Sequence, residues 1–273
     1  MIPAPATYLR AASLDEALAA LAADPEAKVL AGGHSLLPVM KLRIARPSLL
    51  VDIGGLDLAG VSSVGEALRI GALTTWDELT RSAELERPAL GAFADCAHAI
   101  GDLQVRNRGT IGGSLAHADP SADAPAALLA LGAELELRSP RGSRTVPLAE
   151  FLRGPFTTAL ELDEIVTEII VPHPASGAGS AYVKVEHPAS GFALVGAAAL
   201  VEPDATSVVT LTGIGAQQFA LAGNDVTASL AQAEIYGDDF APTEYRRHLA
   251  GVVARRALDL AKTRAEEDAR WQT

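Results

Sequence analysis

A single cysteine, Cys96, stands in the 273-residue sequence. That scarcity excludes an internal disulfide framework, a multi-cysteine zinc site and a cysteine-ligated iron–sulfur cluster within the chain. Any redox chemistry must therefore use a bound organic group or another chain. Aromatic residues amount to 4% against 49% hydrophobic residues overall, so the core is expected to be built from Ala, Leu and Val. No apolar run approaches the ~20 residues that span a bilayer. The opening stretch MIPAPATYLRAAS has no charged segment leading into an apolar one, and a cytoplasmic location is the expectation. Cations are the minority: 22 Lys and Arg against 34 Asp and Glu give a net charge of -12, which leaves no basic surface for a nucleic-acid backbone.

Several motifs are missing as well. No GxxxxGK followed by Ser or Thr is present, and Gly213-Ile214-Gly215 lacks the third glycine and the helix of a dinucleotide fingerprint. The six histidines contain no HExxH or similar metal spacing, and no GxSxG elbow occurs. Cys96 lies in GAFADCAHAI, a small-residue helical pattern, and reads as a buried structural thiol.

What is present reads as two units, each long enough to bury a core. Ser13-Leu14-Asp15-Glu16 is a capping-box pattern opening a helix through Leu21, which Asp24-Pro25 ends. Lys28-Val29-Leu30 reads as a strand entering AGGHSLLPVMKLR. Ser35 to Leu42 reads as a helix with Pro38 in its first turn, and Leu49 to Ile53 as the next strand. This is a small βαβ-like unit. Further on, Leu68 to Ala72 alternates as a strand, Thr75-Trp76-Asp77-Glu78 is a second capping box, and Pro88 to Ile100 is a helix candidate. A second glycine-rich stretch follows, GDLQVRNRGTIGGSLAHADPSADAP. Its Thr110 to Ser114 suits a bend that presents successive backbone N–H groups to an anion. Asp119, Ser121 and Asp123 suit helix starters before Ala126 to Leu131. Either glycine pair alone fits an ordinary turn better than an anion site.

Taken in order and spacing, AGGHSLLPVMKLR, QVRNRGTIGGSLAHADPSADAPAAL, ELDEIVTEIIVP, the AYVK segment and YRRHLAGVVARRAL resemble the FAD-binding subunit of molybdenum hydroxylases, of the carbon monoxide dehydrogenase medium-subunit type. The resemblance covers nearly the whole chain. It implies an α+β fold: a two-lobed FAD-binding domain of the vanillyl-alcohol-oxidase (PCMH) type over residues 1–173, followed by a smaller α+β domain over 179–273. The small α/β lobe would cover about 1–55 and the larger mixed lobe about 56–173, with a linker in Pro172 to Ala181. Strands are expected at Tyr182 to Glu186, Phe192 to Val201 and Ser207 to Ile214. A terminal helix from Pro242 is expected to carry Tyr245, Leu249, Val252, Val253 and Leu260 near one face.

The resemblance also implies a site. Leu30, Ala31, Gly32, Gly33, His34, Ser35 and Leu36 would wrap the FAD pyrophosphate with backbone amides, Ser35 adding a hydroxyl. Thr110, Ile111, Gly112, Gly113 and Ser114 would form the other half of the cradle, with Ile111 near the flavin ring. Asp123 would contact the ribitol or adenosine portion, while Ile100, Val166, Lys184 and Phe192 would surround the isoalloxazine. No residue is assigned a catalytic or metal-binding role. The implied function is electron transfer: FAD takes electrons from the iron–sulfur clusters of a small partner and passes them to an external acceptor. Substrate would be oxidised on a large molybdopterin-containing partner, in a dimer of heterotrimers. A stand-alone FAD-dependent oxidoreductase and a non-catalytic nucleotide-binding or assembly protein are the alternatives. Substrate and acceptor are not legible.

Overall fold

A computed structural model describes residues 2–221 and 225–271. The outer ends of the two expected domains, Met1 and Gln272-Thr273, lie outside the described residues. The first unit contains β1 (Thr7–Arg10), α1 (Leu14–Ala23), β2 (Lys28–Leu30), α2 (Leu36–Lys41) and β3 (Leu49–Asp52). Its strands pair in parallel in the order β1-β3-β2, as a βαβ unit requires. Ser13 caps α1 by accepting from the Glu16 N–H at 3.1 Å, and the Glu16 carboxylate accepts from the Ala12 N–H at 2.7 Å. Only the serine half of the expected capping box forms, because the Glu16 carboxylate reaches past Ser13 to the Ala12 amide.

The second unit follows with β4 (Val61–Val64), β5 (Ala67–Gly71), α3 (Trp76–Thr80), α4 (Gly91–Ala99), α5 (Leu103–Arg106), α6 (Ile111–His117) and α7 (Asp123–Ala130). It continues with β6 (Glu134–Ser139), β7 (Gly142–Pro147), α8 (Leu148–Phe151), β8 (Leu152–Gly154), β9 (Thr157–Thr158) and β10 (Ile165–Pro172). Five strands form an antiparallel sheet in the order β4-β5-β10-β6-β7. Leu135 and Leu137 alternate inward from β6 and meet Phe93, Cys96, Ile111, Leu115 and Leu128 of the helices. Cys96 is fully buried, and burial pushes its thiol well above the usual range. It is a structural thiol. Two helix starts differ from expectation. Pro88–Leu90 is a separate 3-10 turn before α4, and α7 begins at Asp123, capped by Ala122 without a side-chain bond. Asp119 does not cap the helix, because its carboxylate accepts from the Ser121 N–H.

The third unit is the antiparallel meander β11 (Gly179–Glu186), β12 (Ala193–Val201), β13 (Ser207–Thr212), β14 (Phe219–Ala220), with α9 (Val226–Gln232) and α10 (Thr243–Trp271). Gly179 already lies in β11, so the connection after β10 is confined to residues 173–178, shorter than the linker its composition implies. All nine residues of β12 are buried. Ala198 and Leu200 face the core of the second unit, whereas Ala197, Ala199 and Val201 face α10. A strand covered on both faces reads as a continuous apolar run, as ALVGAAALV does.

The buried face of α10 agrees with the expected one at Val253 and at Leu249, which packs against the same core, but not at its outer members. Ala250, Val253, Ala254, Ala257 and Ala261 are buried, whereas Tyr245 and Leu260 are exposed. The reason is close approach: a β-carbon on Gly179 would lie 3.0 Å from the Ala265 α-carbon and closer still to the Ala261 carbonyl oxygen. Small residues on both sides set that separation. Among the described residues no helix is long and apolar enough to cross a membrane.

Gly179→Val is expected to push α10 off β11 and to cost about 1–3 kcal/mol or more by overpacking. Tyr245→Ala should stay within about 0.5 kcal/mol of the parent. Urea unfolding of the two variants measures the difference, and a reversed ranking would show that the alanine face does not set the packing distance.

Candidate functional site

Where the three units meet lies a cavity of about 630 Å³, in the range of ligand and cofactor sites. Ala31 to Leu36 form one wall, between β2 and α2. Gly33 has φ +77°, a left-handed conformation that lets the chain turn into α2. Gly32 is needed for a different reason. A β-carbon there would lie 2.8 Å from the Arg108 carbonyl carbon and closer still to its oxygen, so the loop sits directly against the Arg108-Gly109 backbone. Among the described residues, none of the five backbone N–H groups from Gly32 to Leu36 has a hydrogen-bond acceptor. The first acceptor-bound amide is that of Leu37, which donates to the Gly33 carbonyl at 3.1 Å. Five unpaired N–H dipoles on a cavity wall give an acidic protein a local anion site without any cationic side chain. His34 lines the same wall with its Nδ1 3.1 Å from the Gly32 carbonyl oxygen.

The second glycine segment behaves differently. Thr110 caps α6 and Ile111 to Ser114 form its first turn, not an open bend, and the amides of Ile111 to Ser114 are already engaged. Ile111 N–H donates to the Thr74 carbonyl at 3.0 Å, Gly112 N–H to Ala72 at 2.9 Å, and Ser114 N–H to Thr110 at 3.0 Å. Gly113 N–H donates to the Thr110 hydroxyl at 3.3 Å. Thr110, Gly112, Gly113 and Ser114 line the cavity, with the backbone amides of the last three spent. Ile111 does not line it; its side chain is fully buried in the core of the second unit. Leu30 ends β2 beneath the loop and likewise stays off the wall. One loop of unpaired amides thus faces a helix start whose Ile111 to Ser114 amides are engaged within the fold.

Ile100, Asp123, Val166 and Phe192 line the remaining walls. Lys184 does not. Its ammonium is buried and donates to the Asp123 carboxylate at 3.0 Å, the Ala99 carbonyl at 2.9 Å and the Gly191 carbonyl at 2.8 Å, which uses its three hydrogens. The Tyr182 hydroxyl donates to the other Asp123 oxygen. Burial pushes the Asp123 carboxyl up, against the pull of Lys184, and burial likewise pushes Tyr182 well up. One buried cation thus ties together the end of α4, the start of α7 and the β11–β12 turn, each of which supplies a cavity residue.

Sequence reasoning missed the wall from Leu160 to Ile165 and the ring of Phe156. That wall is held from outside. Arg144 of β7 forks onto Glu164 with two bonds of 2.7 Å and also donates to the Ala159 carbonyl at 2.8 Å. Arg144's hydrogen bonds hold the Glu164 carboxyl below the usual range. Only the charge alternation of RGSRT and ELDE hinted at it, and that pattern does not say which charges meet. Among the described residues no group of His, Cys, Asp or Glu is arranged to hold a metal ion.

The sequence pattern of the family described as the FAD binding domain in molybdopterin dehydrogenase matches residues 4–174. The carbon monoxide dehydrogenase medium chain of Hydrogenophaga pseudoflava is 37% identical, over 97% of this chain and 99% of that one. The 6-hydroxypseudooxynicotine dehydrogenase complex subunit alpha of Paenarthrobacter nicotinovorans is 35% identical over 97% of each chain. A solved carbon monoxide dehydrogenase structure from Hydrogenophaga pseudoflava superposes with a TM-score of 0.90 at 37% identity, covering 97% of this chain and 99% of that chain.

Lys184→Met leaves the Asp123 carboxylate buried without its cation and is expected to destabilise the fold by about 3–5 kcal/mol. Adding Asp123→Asn should recover part of the loss. A urea-unfolding double-mutant cycle measures the coupling, and additive effects of the two changes would show that the tether is not an energetic unit.

Proposed function

The chain belongs to the family of FAD-binding domains of molybdopterin dehydrogenases, an oxidoreductase subunit with FAD as its cofactor, and on that premise we propose that it is the electron-exit subunit of a molybdenum hydroxylase complex. The observation that carries the assignment of the site is the row of five unpaired amides on a cofactor-sized cavity. In this reading the amides from Gly32 to Leu36, with the Ser35 hydroxyl, receive the pyrophosphate. Thr110 and Gly112 to Ser114 press against it, and Asp123 meets the ribitol or adenosine. Ile100, Val166 and Phe192 bound the isoalloxazine, and Lys184 acts on the site through Asp123 and Gly191. FAD, when bound, supplies the one- and two-electron chemistry. The chain contributes position and shielding, and we assign it no catalytic acid or base.

We further propose the partners: a large molybdopterin-containing subunit that oxidises substrate and a small subunit that holds the iron–sulfur clusters, assembled as a dimer of heterotrimers. Two facts support this. A chain with one buried cysteine has no thiolates to hold a cluster, and the relatives carry names such as medium chain and complex subunit. The same proposal divides the chain into a cofactor domain over 1–173 and a smaller domain over 179–273. Relatives that match to similar degree are named for carbon monoxide and for 6-hydroxypseudooxynicotine, so substrate choice is placed on the large partner.

Reconstitution tests the proposal. The purified chain should bind about one FAD, show a flavin visible spectrum and oxidise no substrate without partners. Turnover by this chain alone would overturn the exit-subunit assignment, and a colourless chain refractory to FAD would overturn the site. Within the site, Gly32→Val should abolish FAD binding, because its β-carbon meets fixed backbone. Gly113→Val should weaken it less, because there the obstacle is the Thr110 side chain. His34→Ala should be mildest. If titration of FAD fluorescence ranked His34→Ala worst, the amide account of this loop would be wrong.

A further inference from the structure

The positive charge of the chain is not spread evenly. Residues 27–51 and 103–118 together hold six of its 22 Lys and Arg and none of its 34 Asp and Glu, which leaves 16 cations against 34 acids elsewhere. The two stretches meet at the amide loop. A β-carbon on Gly33 would lie 3.0 Å from the Leu37 side chain, and one on Gly32 would meet the Arg108 backbone, so α2 and the segment after α5 stand against it. Among the described residues Lys41, Arg43, Arg46 and Arg108 are exposed and have no ion-pair partner, whereas Arg144 and Arg264 each sit on a carboxylate. Large apolar side chains stand in solvent among these cations: Leu42 and Leu103 are 57% exposed and Ile44 75%. The turn that carries Ile44 is strained. Ile44 N–H donates to the Val39 carbonyl at 3.0 Å and Arg43 N–H to that of Met40 at 2.9 Å, the pairing that ends a helix on a left-handed residue, most often glycine. Arg43 takes that place with φ +59°, unfavourable for a residue with a side chain. The apolar residue after it commonly packs back on its helix, but Ile44 stays in solvent.

We propose that this basic and apolar face, formed by α2 with its terminal turn and by α5, docks an acidic surface of the iron–sulfur subunit. The proposal rests on the electron-exit reading and names where the electron donor sits. Charge supports it. A thiolate-ligated cluster is anionic, and one positive face on an otherwise strongly negative chain draws in an acidic partner while the remaining surface repels it, which sets orientation as well as rate. The interleaved leucines and isoleucine add nothing for a phosphate backbone, so the face suits a protein partner with an apolar centre and not a polyanion. Position agrees. α5 begins three residues after Ile100, and Arg106 donates to the Ile100 and Gly101 carbonyls at 3.2 and 3.1 Å. A partner seated on α5 therefore lies alongside the wall given to the isoalloxazine, where a donor of electrons has to come.

Binding kinetics test the face. The full FAD-loaded chain is immobilised, and the purified, cluster-loaded small subunit and the large subunit are passed over it at low and high salt. Lys41→Glu with Arg46→Glu should slow association of the small subunit at least about tenfold at low salt and flatten its salt dependence. Ile44→Ser should speed dissociation about fivefold at either salt concentration, since an apolar contact acts mainly on the off-rate. Both variants should keep the FAD content of the parent, and Arg256→Glu, exposed on α10, should bind as the parent does. Unchanged kinetics in both variants, loss of FAD in step with binding, or a parent that binds only the large subunit would overturn the docking face and leave the electron-exit reading standing. Phosphatidylglycerol vesicles that retain the parent but not the variants, with subunit binding unchanged, would overturn it in favour of a lipid surface. A parent that binds neither subunit would overturn the electron-exit reading itself.

Discussion

One buried ammonium group organises the inner half of the cavity. Lys184 sits in the third unit, yet its acceptors belong to the end of α4, the start of α7 and the β11–β12 turn. Each acceptor is a neighbour of a residue on the cavity wall or is such a residue itself. A cation taken out of water tolerates few arrangements, because every hydrogen left unpaired in a low-dielectric interior is costly. That demand fixes three segments relative to one another. Phe192 and Asp123 are placed by this tether, although neither is adjacent to the other in sequence.

The tether acts within a larger constraint, the coverage of β12 on both faces. One face lies on the second unit and the other under α10, so the third unit is part of the same body as the cavity. Arg264 of α10 reinforces the joint by forking onto Asp95 of α4, at 2.7 and 2.9 Å, and by donating to the Ser180 carbonyl. Close approach at Gly179 lets the alanine face of α10 lie flat on the sheet. On the far side of the cavity, the Arg144–Glu164 fork holds the 159–164 wall from the outside. The cleft is therefore braced by ion pairs placed behind its walls, with the amides from Gly32 to Leu36 left unpaired at its front.

Much of the fold was legible because local rules were obeyed. The serine cap at Ser13, the capping box at Thr75, the strand at Lys28 to Leu30 and the apolar run of β12 each follow from propensity or period. The glycine loops were legible as a pair. Errors arose wherever a distant element decided. Tyr245 and Leu260 of α10 were expected near the buried face and are exposed, because close approach at a neighbouring glycine favoured small residues there. Asp123 suited a helix cap and proved to be the counter-ion of Lys184, 61 residues away. Nothing near Phe156 in the sequence announces a left-handed phenylalanine on a cavity wall.

By itself the sequence determined the family, the cofactor class and the absence of thiolates for a metal cluster, since these depend on which residues are present and in what order. Tertiary structure decided which of two similar glycine segments keeps its amides free. The N–H groups of Ile111 and Gly112 are consumed by the carbonyls of Thr74 and Ala72, brought alongside by β5 and the turn after it, whereas those from Gly32 to Leu36 meet no acceptor in the fold. A backbone amide is chemically the same at every position. Whether it can bind an anion is settled by what the rest of the chain places opposite it.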